Sequence, residues 1–121
     1  MNSFIPWIGG KKLLRKHILS QFPNEKYERY IEVFGGAGWI LFSQDRHAPF
    51  EVFNDVNGEL INLYRVVKYH SEPLQKELEW LFVSREQFYD ELYQNLSGMT
   101  DIQRAARFFC LIKESFGADC K

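Results

Sequence analysis

The chain has 121 residues, 45% of them hydrophobic and 17% aromatic, and its 15 Lys and Arg against 16 Asp and Glu leave a formal net charge of −1. This is one domain's worth of core-forming material, which excludes a disordered chain, and the near balance of charge excludes a uniformly basic surface that would announce nucleic acid by its field alone. No apolar run approaches the roughly 20 residues of a membrane-crossing helix, the start lacks a basic segment followed by an apolar one, and Cys110 and Cys120 have no metal-ligand or redox spacing, so the sequence reads as a cytoplasmic protein with reduced thiols.

Gly9 and Gly10 break the chain, and residues 11–21 then predict a helix with Leu14, Ile18 and Phe22 on one face. Its start is basic, with Lys11, Lys12, Arg15, Lys16 and His17 and no acid among them. Tyr30 to Phe34 predicts a first strand, closed by Gly35-Gly36-Ala37-Gly38, after which Trp39 to Gln44 has helical character. Phe50 to Phe53 predicts a second strand ending at Asn54-Asp55. Both strands are mostly apolar, as buried parallel strands are, rather than alternating. Asn57 to Tyr69 predicts a helix with Leu60, Ile61, Tyr64 and Val67 at helical spacing.

From Ser71 onward the pattern is helical throughout. Pro73 suits the first turn of a helix running to about Phe82. Ser84 to Gln87 and Thr100 to Gln103 both match the reciprocal capping pattern of a helix start. The last helix carries Cys110 as a small buried hydrophobe and stops near Phe116, before Gly117. Six acids between Glu72 and Glu91, against Lys76 and Arg85, mark a solvated face.

Two strand–helix units begin a parallel, doubly wound sheet without completing it. The expected fold class is therefore α/β: an incomplete Rossmann-like core of parallel strands with flanking helices, followed by an all-helical segment. An incomplete sheet has open edges, so association with a second copy, or exchange of strands or helices, is expected.

Phe34-Gly-Gly-Ala-Gly38 lies between a strand and a helix, where such folds bring their backbone close to a nucleotide-like ligand. The full dinucleotide pattern fails, because Leu41 stands where a third glycine belongs, which disfavours a nicotinamide-dependent oxidoreductase. Asp55 follows the next strand about 20 residues on, where an acid can bind ribose hydroxyls. The bland alternative is that Asp55 caps the helix near Asn57. Glu32 is a further acid near the same edge. His17, His47 and His70 show no ligand pattern, so no metal is expected.

Three blocks stand in order: Pro6-Trp7-Ile-Gly-Gly-Lys11, Glu32-Val-Phe34-Gly-Gly36-Ala37-Gly38, and Asn54-Asp55-Val-Asn57 followed by Leu60-Ile61-Asn-Leu63-Tyr64. In type, order and spacing they resemble the Dam-type DNA adenine-N6 methyltransferases over residues 4–69, and Ala105 to Phe109 is more loosely similar to a helix of that family's target-recognition region. The resemblance implies S-adenosylmethionine as cofactor and double-stranded DNA as partner, with no membrane involved. Trp7 and Lys11 would lie at the cofactor's methionine end, with Lys11 toward its carboxylate. Phe34, Gly36, Ala37 and Gly38 would cradle it, and Asp55 would take the ribose. A cationic sulfonium beside an aromatic face gains about 0.5–2 kcal/mol.

The family's catalytic block, Asp-Pro-Pro-Tyr, is absent: Pro6, Pro23, Pro49 and Pro73 include no adjacent pair. No catalytic residue is therefore assigned, and the chain is expected to be an N-terminal fragment or truncated form that is inactive alone. Residues 1–70 would be its cofactor-binding part and 71–121 the start of target recognition. Weak DNA contact would come from Arg104, Arg107 and Lys113 and from the Lys12–Lys16 cluster. The rival readings are a catalytically inactive cofactor- or partner-binding module and a methyltransferase for a non-DNA substrate.

Overall fold

The computed structural model describes residues 3–7, 9–80, 90 and 93–119. In chain order these form helix α1 (Arg15–Ser20), strand β1 (Arg29–Glu32), a short 3-10 turn (Leu41–Ser43), strand β2 (Phe50–Phe53), and helices α2 (Gly58–Tyr69), α3 (Ser71–Glu79) and α4 (Asp101–Asp119). The mixture of helix with a parallel strand pair agrees with the α/β expectation at that level. The proposed capping motif at Ser84–Gln87 and the expected helix end at Phe82 lie outside the described residues. Contacts divide the chain into two compact units, Met1–Val56 and Asn57–Lys121.

In the first unit β1 and β2 pair in parallel, with Arg29 opposite Phe50, Tyr30 opposite Glu51, Ile31 opposite Val52 and Glu32 opposite Phe53. Strand β1 is shorter than expected and alternates. Tyr30 and Glu32 are buried, while Arg29 and Ile31 face outward. The expectation of a uniformly buried strand is thus corrected. Tyr30, Ile40 and Ala48 form the core of this unit, with Ile18, Leu19, Phe22, Tyr27 and Leu41 packed against it. Those residues cover one face of the sheet. On the other, Ile31 and Phe50 are each 59% exposed.

Helix α1 starts at Arg15 rather than at residue 11, and Leu14 is exposed instead of sharing the buried face with Ile18 and Phe22. The physical reason is the turn before it. Gly9 takes φ +76° and Gly10 N–H closes the turn on the Trp7 carbonyl at 3.1 Å. The segment leaving Gly10 is held by the side chains of Lys11 and Lys12 rather than by helical hydrogen bonds.

The second unit is helical. Leu60, Leu63 and Val66 of α2 are almost wholly buried, Leu74 of α3 and Ala105, Ala106, Leu111 and Ile112 of α4 are buried too, and the three helices pack against one another. The buried stripe of α2 is therefore Leu60–Leu63–Val66, whereas Ile61, Tyr64 and Val67 are half-buried. Asn62, also buried, donates to the Asp101 carbonyl at 3.0 Å, and Arg104 is ion-paired with Glu59. Thr100 and Gln103 bond reciprocally: Thr100 N–H donates to Gln103 Oε1 (3.0 Å) and Gln103 N–H to Thr100 Oγ1 (3.2 Å). This is the expected cap. Helix α4 continues past Gly117 to Asp119, because a glycine weakens a helix by about 1 kcal/mol without ending it. Cys110 is half-buried rather than buried. Among the described residues, no helix is long and apolar enough to cross a membrane, and no group of His, Cys, Asp and Glu is arranged to hold a metal ion.

Candidate functional site

Parallel strands end at the same edge of their sheet, so the segment after β1 and the segment after β2 are brought together. Asn54 stitches them. Its N–H donates to the Glu32 carbonyl at 2.8 Å, its Nδ2 to the Val33 carbonyl at 3.2 Å, and its own carbonyl accepts from Gly35 N–H at 2.8 Å. Asp55 then lies beside the glycine turn, where Oδ2 accepts from Gly36 N–H at 3.0 Å. The cap of α2 is a different residue: Asn57 Oδ1 accepts from the N–H groups of Glu59 and Leu60, both at 3.1 Å. Asp55 is thereby relieved of the capping role.

The turn itself is built for a bare backbone. Gly36 and Gly38 take φ of +53° and +71°. A Cβ on Gly35 would come within 2.2 Å of the Phe53 ring, and one on Gly38 within 2.7 Å of the Phe42 ring. A Cβ on Gly36 would sit 3.1 Å from the Trp7 ring, so Trp7 lies directly against the turn. Ala37 is fully buried, and Phe34, at the lip, is 80% exposed. Gly38 N–H closes the turn on the Gly35 carbonyl at 2.9 Å.

The N-terminal segment returns over the same edge. Lys11 Nζ donates to the Phe34 carbonyl at 2.6 Å. Trp39, just past the turn, has the Lys12 ammonium 5.6 Å and the Arg15 guanidinium 5.4 Å from its ring centre. Two of the basic residues expected to meet phosphates are thus placed against an indole.

Glu32 is 8% exposed. Tyr30 Oη donates to its Oε2 at 2.8 Å, and Oε1 makes no hydrogen bond among the described residues. Burial pushes the carboxyl above its ordinary range, while the Tyr30 hydroxyl, Lys11, the Leu41 backbone N–H and His47 pull it back. The Tyr30 phenol is itself raised, first by burial and then by its bond to Glu32. His47 stacks on Tyr30 with ring centres 4.3 Å apart. Its Nε2 lies 2.7 Å from the Ile40 carbonyl and its Nδ1 2.9 Å from Gln44 Nε2.

Trp7, Lys11, Glu32, Phe34, Gly36, Ala37, Gly38 and Asp55 are therefore gathered around one edge of one sheet. The arrangement offers a carboxylate beside backbone amides at one point and a lysine with a buried acid close by. Arg104 and Lys113 are not brought together. Arg104 is engaged by Glu59, and Lys113 Nζ sits 5.4 Å from the Phe109 ring centre. Nine residues, about two and a half turns, put Arg104 and Lys113 on opposite sides of α4.

The pattern of the D12 class N6 adenine-specific DNA methyltransferases matches residues 7–117. The chain belongs to this family. It is 34% identical to the type II methyltransferase M1.LlaDCHI of Lactococcus lactis subsp. cremoris, over 96% of this chain and 42% of that protein. It is 31% identical to the type II methyltransferase M.MjaIII of Methanocaldococcus jannaschii, over 93% of this chain and 45% of the relative. The DNA adenine methylase of Escherichia coli K12 is 28% identical over 98% of this chain and 43% of its own length. The chain thus spans less than half the length of these relatives. Within this D12-class stretch the structure adds Tyr30, His47, Asn54 and Phe53 to the neighbourhood of the glycine turn. Tyr30 stands two residues from Glu32 on a strand and so shares its face, a relation open to sequence reading. His47 comes from a loop, and no periodicity marks it.

Proposed function

We propose that this chain is the cofactor-holding part of an enzyme that transfers a methyl group from S-adenosylmethionine to N6 of adenine in double-stranded DNA, the target base being turned out of the helix. The observation that carries this reading is the meeting of Asp55 with the glycine turn, beside Lys11 and Glu32. Asp55 suits a ribose diol, Trp7 suits a sulfonium, and the bare turn accepts a close ligand. A cation next to an acid suits the zwitterionic amino-acid end. Membership of the D12 class supports adenine in DNA as the acceptor.

In this reading the sheet is the start of a Rossmann-like core. Residues 1–70 serve the cofactor and 71–121 begin target recognition, with Arg104, Arg107 and Lys113 as weak phosphate contacts. The group supplied by S-adenosylmethionine is the activated methyl. The residues of this chain bind and orient it, and with no Asp-Pro-Pro-Tyr block the chain alone does not transfer it.

Calorimetry with S-adenosylhomocysteine tests the reading. Binding is expected in wild type, with at least about tenfold loss in Asp55→Ala, the usual cost of a charge-assisted hydrogen bond, and a smaller loss in Lys11→Ala. Equal affinity in wild type and Asp55→Ala removes Asp55 from the site. A labelled-cofactor assay on unmethylated DNA is expected to show no transfer, and turnover above background overturns the assignment of catalysis to the absent block.

A further inference from the structure

Trp39 directly follows the glycine turn, where the core has little use for so large a ring. The buried cluster of the first unit is Tyr30, Ile40 and Ala48, with Ile18, Leu19, Phe22, Tyr27 and Leu41 against it. Ile40 thus serves the core, while Trp39 beside it is only half-buried. Three residues of the N-terminal segment meet the Trp39 ring instead. A Cβ on Gly10 would lie 3.5 Å from both Cδ1 and Nε1 of the indole. The Lys12 ammonium and the Arg15 guanidinium are 5.6 and 5.4 Å from the ring centre. Cations are drawn to the electron-rich face of an aromatic ring, and to indole most of all. An aliphatic side chain of similar bulk has no such face.

The contacts are reciprocal. Trp7 of the N-terminal segment presents Cδ1 and Nε1 to Gly36 of the turn, where a Cβ would lie 3.1 and 3.4 Å from them. Trp39, just past the turn, presents the same two atoms to Gly10 of the segment. Each stretch of bare backbone leaves room for an indole from the other. Lys11 stands between the residues that face Trp39. Its neighbours Gly10 and Lys12 meet that ring at the tail of the turn, while its own Nζ donates to the Phe34 carbonyl at the head. The segment therefore crosses the glycine turn from end to end, pinned at both. Arg15 is the first residue of α1, so the same ring also fixes where that helix begins.

We propose that Trp39 is the positioning residue that holds the N-terminal segment across the glycine turn, so that Trp7 and Lys11 stand in place before a ligand arrives. Trp39 acts through the segment rather than on the ligand. A segment ordered in the free protein spares the ligand the cost of ordering it. Apparent affinity falls in proportion to the fraction of molecules in which the segment is in place. The consequence for the ligand rests on the reading that S-adenosylmethionine binds at this turn; the holding of the segment does not.

Amide hydrogen exchange followed by NMR tests the holding with no ligand present. Gly10 N–H, bonded to the Trp7 carbonyl, reports on the segment, and Asn54 N–H, bonded to the Glu32 carbonyl, reports on the sheet. Trp39→Leu keeps an apolar filler but removes the π face. It is expected to speed exchange at Gly10 about fivefold or more, the combined scale of two exposed cation–π contacts, and to leave Asn54 unchanged. Trp39→Phe restores a π face and is expected to recover part of the protection. Lys12→Gln with Arg15→Gln leaves the ring in place and is expected to reproduce the loss. Adding that pair to Trp39→Leu is expected to bring no more, because both remove the same contacts. If Trp39→Leu does not fold, the paired Gln variant decides alone. Equal acceleration at Gly10 and Asn54, or none at Gly10, overturns the proposal.

Calorimetry then adds the ligand. S-adenosylhomocysteine is expected to bind Trp39→Leu about fivefold more weakly than wild type. Adenosine, which lacks the end assigned to Trp7 and Lys11, is expected to bind both equally. Equal losses for the two ligands would place the effect on the turn itself and overturn the positioning role. If wild type binds neither ligand, the cofactor reading falls, and the exchange rates still decide whether Trp39 holds the segment.

Discussion

A Cβ placed on Gly35 would lie 2.2 Å from the Phe53 ring, whereas one on Gly58 would meet nothing within 4 Å. The ring cannot yield freely, because Phe53 is paired in the sheet opposite Glu32 and is half-buried. Gly35→Ala is therefore expected to cost about 1–3 kcal/mol by overpacking. Gly58→Ala, at a helical position with open space, is expected to be neutral or to gain up to about 1 kcal/mol by restricting the unfolded chain. Urea unfolding of the two variants checks the contrast, and equal midpoints would contradict it. The sequence showed that the Gly35–Gly38 run is a turn, since glycine spacing carries that signal. It did not show that Gly35 is reserved for a ring from the neighbouring strand, because that contact joins residues 18 positions apart. Asp55 was legible for the opposite reason: its distance from the turn follows from strand and helix lengths. The bond between Asp55 and Gly36 N–H is what the parallel register makes of that distance.

Helix α2 owes its start to Asn57, whose side chain accepts from two of the backbone N–H groups that a helix leaves unsatisfied. Asn57→Ala is expected to cost about 1 kcal/mol, and Asn57→Asp to retain most of that stability by keeping the acceptor. Thermal unfolding followed by circular dichroism measures both, and an Asn57→Ala midpoint equal to wild type would return the capping role to another group. Elements with a local chemical signature were legible: Phe50–Phe53 by its β-rich run, α4 at its start by the Thr100–Gln103 exchange. Ends decided by tertiary contact were not. Helix α1 begins four residues late because Lys11 and Lys12 are drawn to the Phe34 carbonyl and the Trp39 ring. Strand β1 stops at Glu32 because the next residues bend toward the glycine turn, and its outward face is polar at Arg29 but apolar at Ile31.

That outward face bears on the behaviour of the whole chain. Parallel sheets are ordinarily covered on both faces. Here Tyr30 and Glu32 are covered, while Ile31, Val33 and Phe50, on or continuing the other face, are 59%, 51% and 59% exposed. The sheet order is β1–β2, so among the described residues each strand also has an edge without a partner strand. Backbone donors and acceptors along an edge beside an apolar surface recruit further chain. The relatives have more than half of their length beyond the stretch that matches. A chain of 121 residues in isolation meets copies of itself first, and a symmetric pairing of two such faces uses the same patch twice. Sedimentation at micromolar concentration is expected to show mass rising with concentration toward a dimer. A lysine at position 31 or 50 places charge on the shared patch without disturbing the covered face. Ile31→Lys and Phe50→Lys should therefore weaken association at least tenfold, the scale of a central interface residue lost. Glu51→Lys, at an exposed position on the face that carries Tyr30, should leave it unchanged. A single monomeric species over the whole range, or equal effects of all three substitutions, would remove this face from the contact.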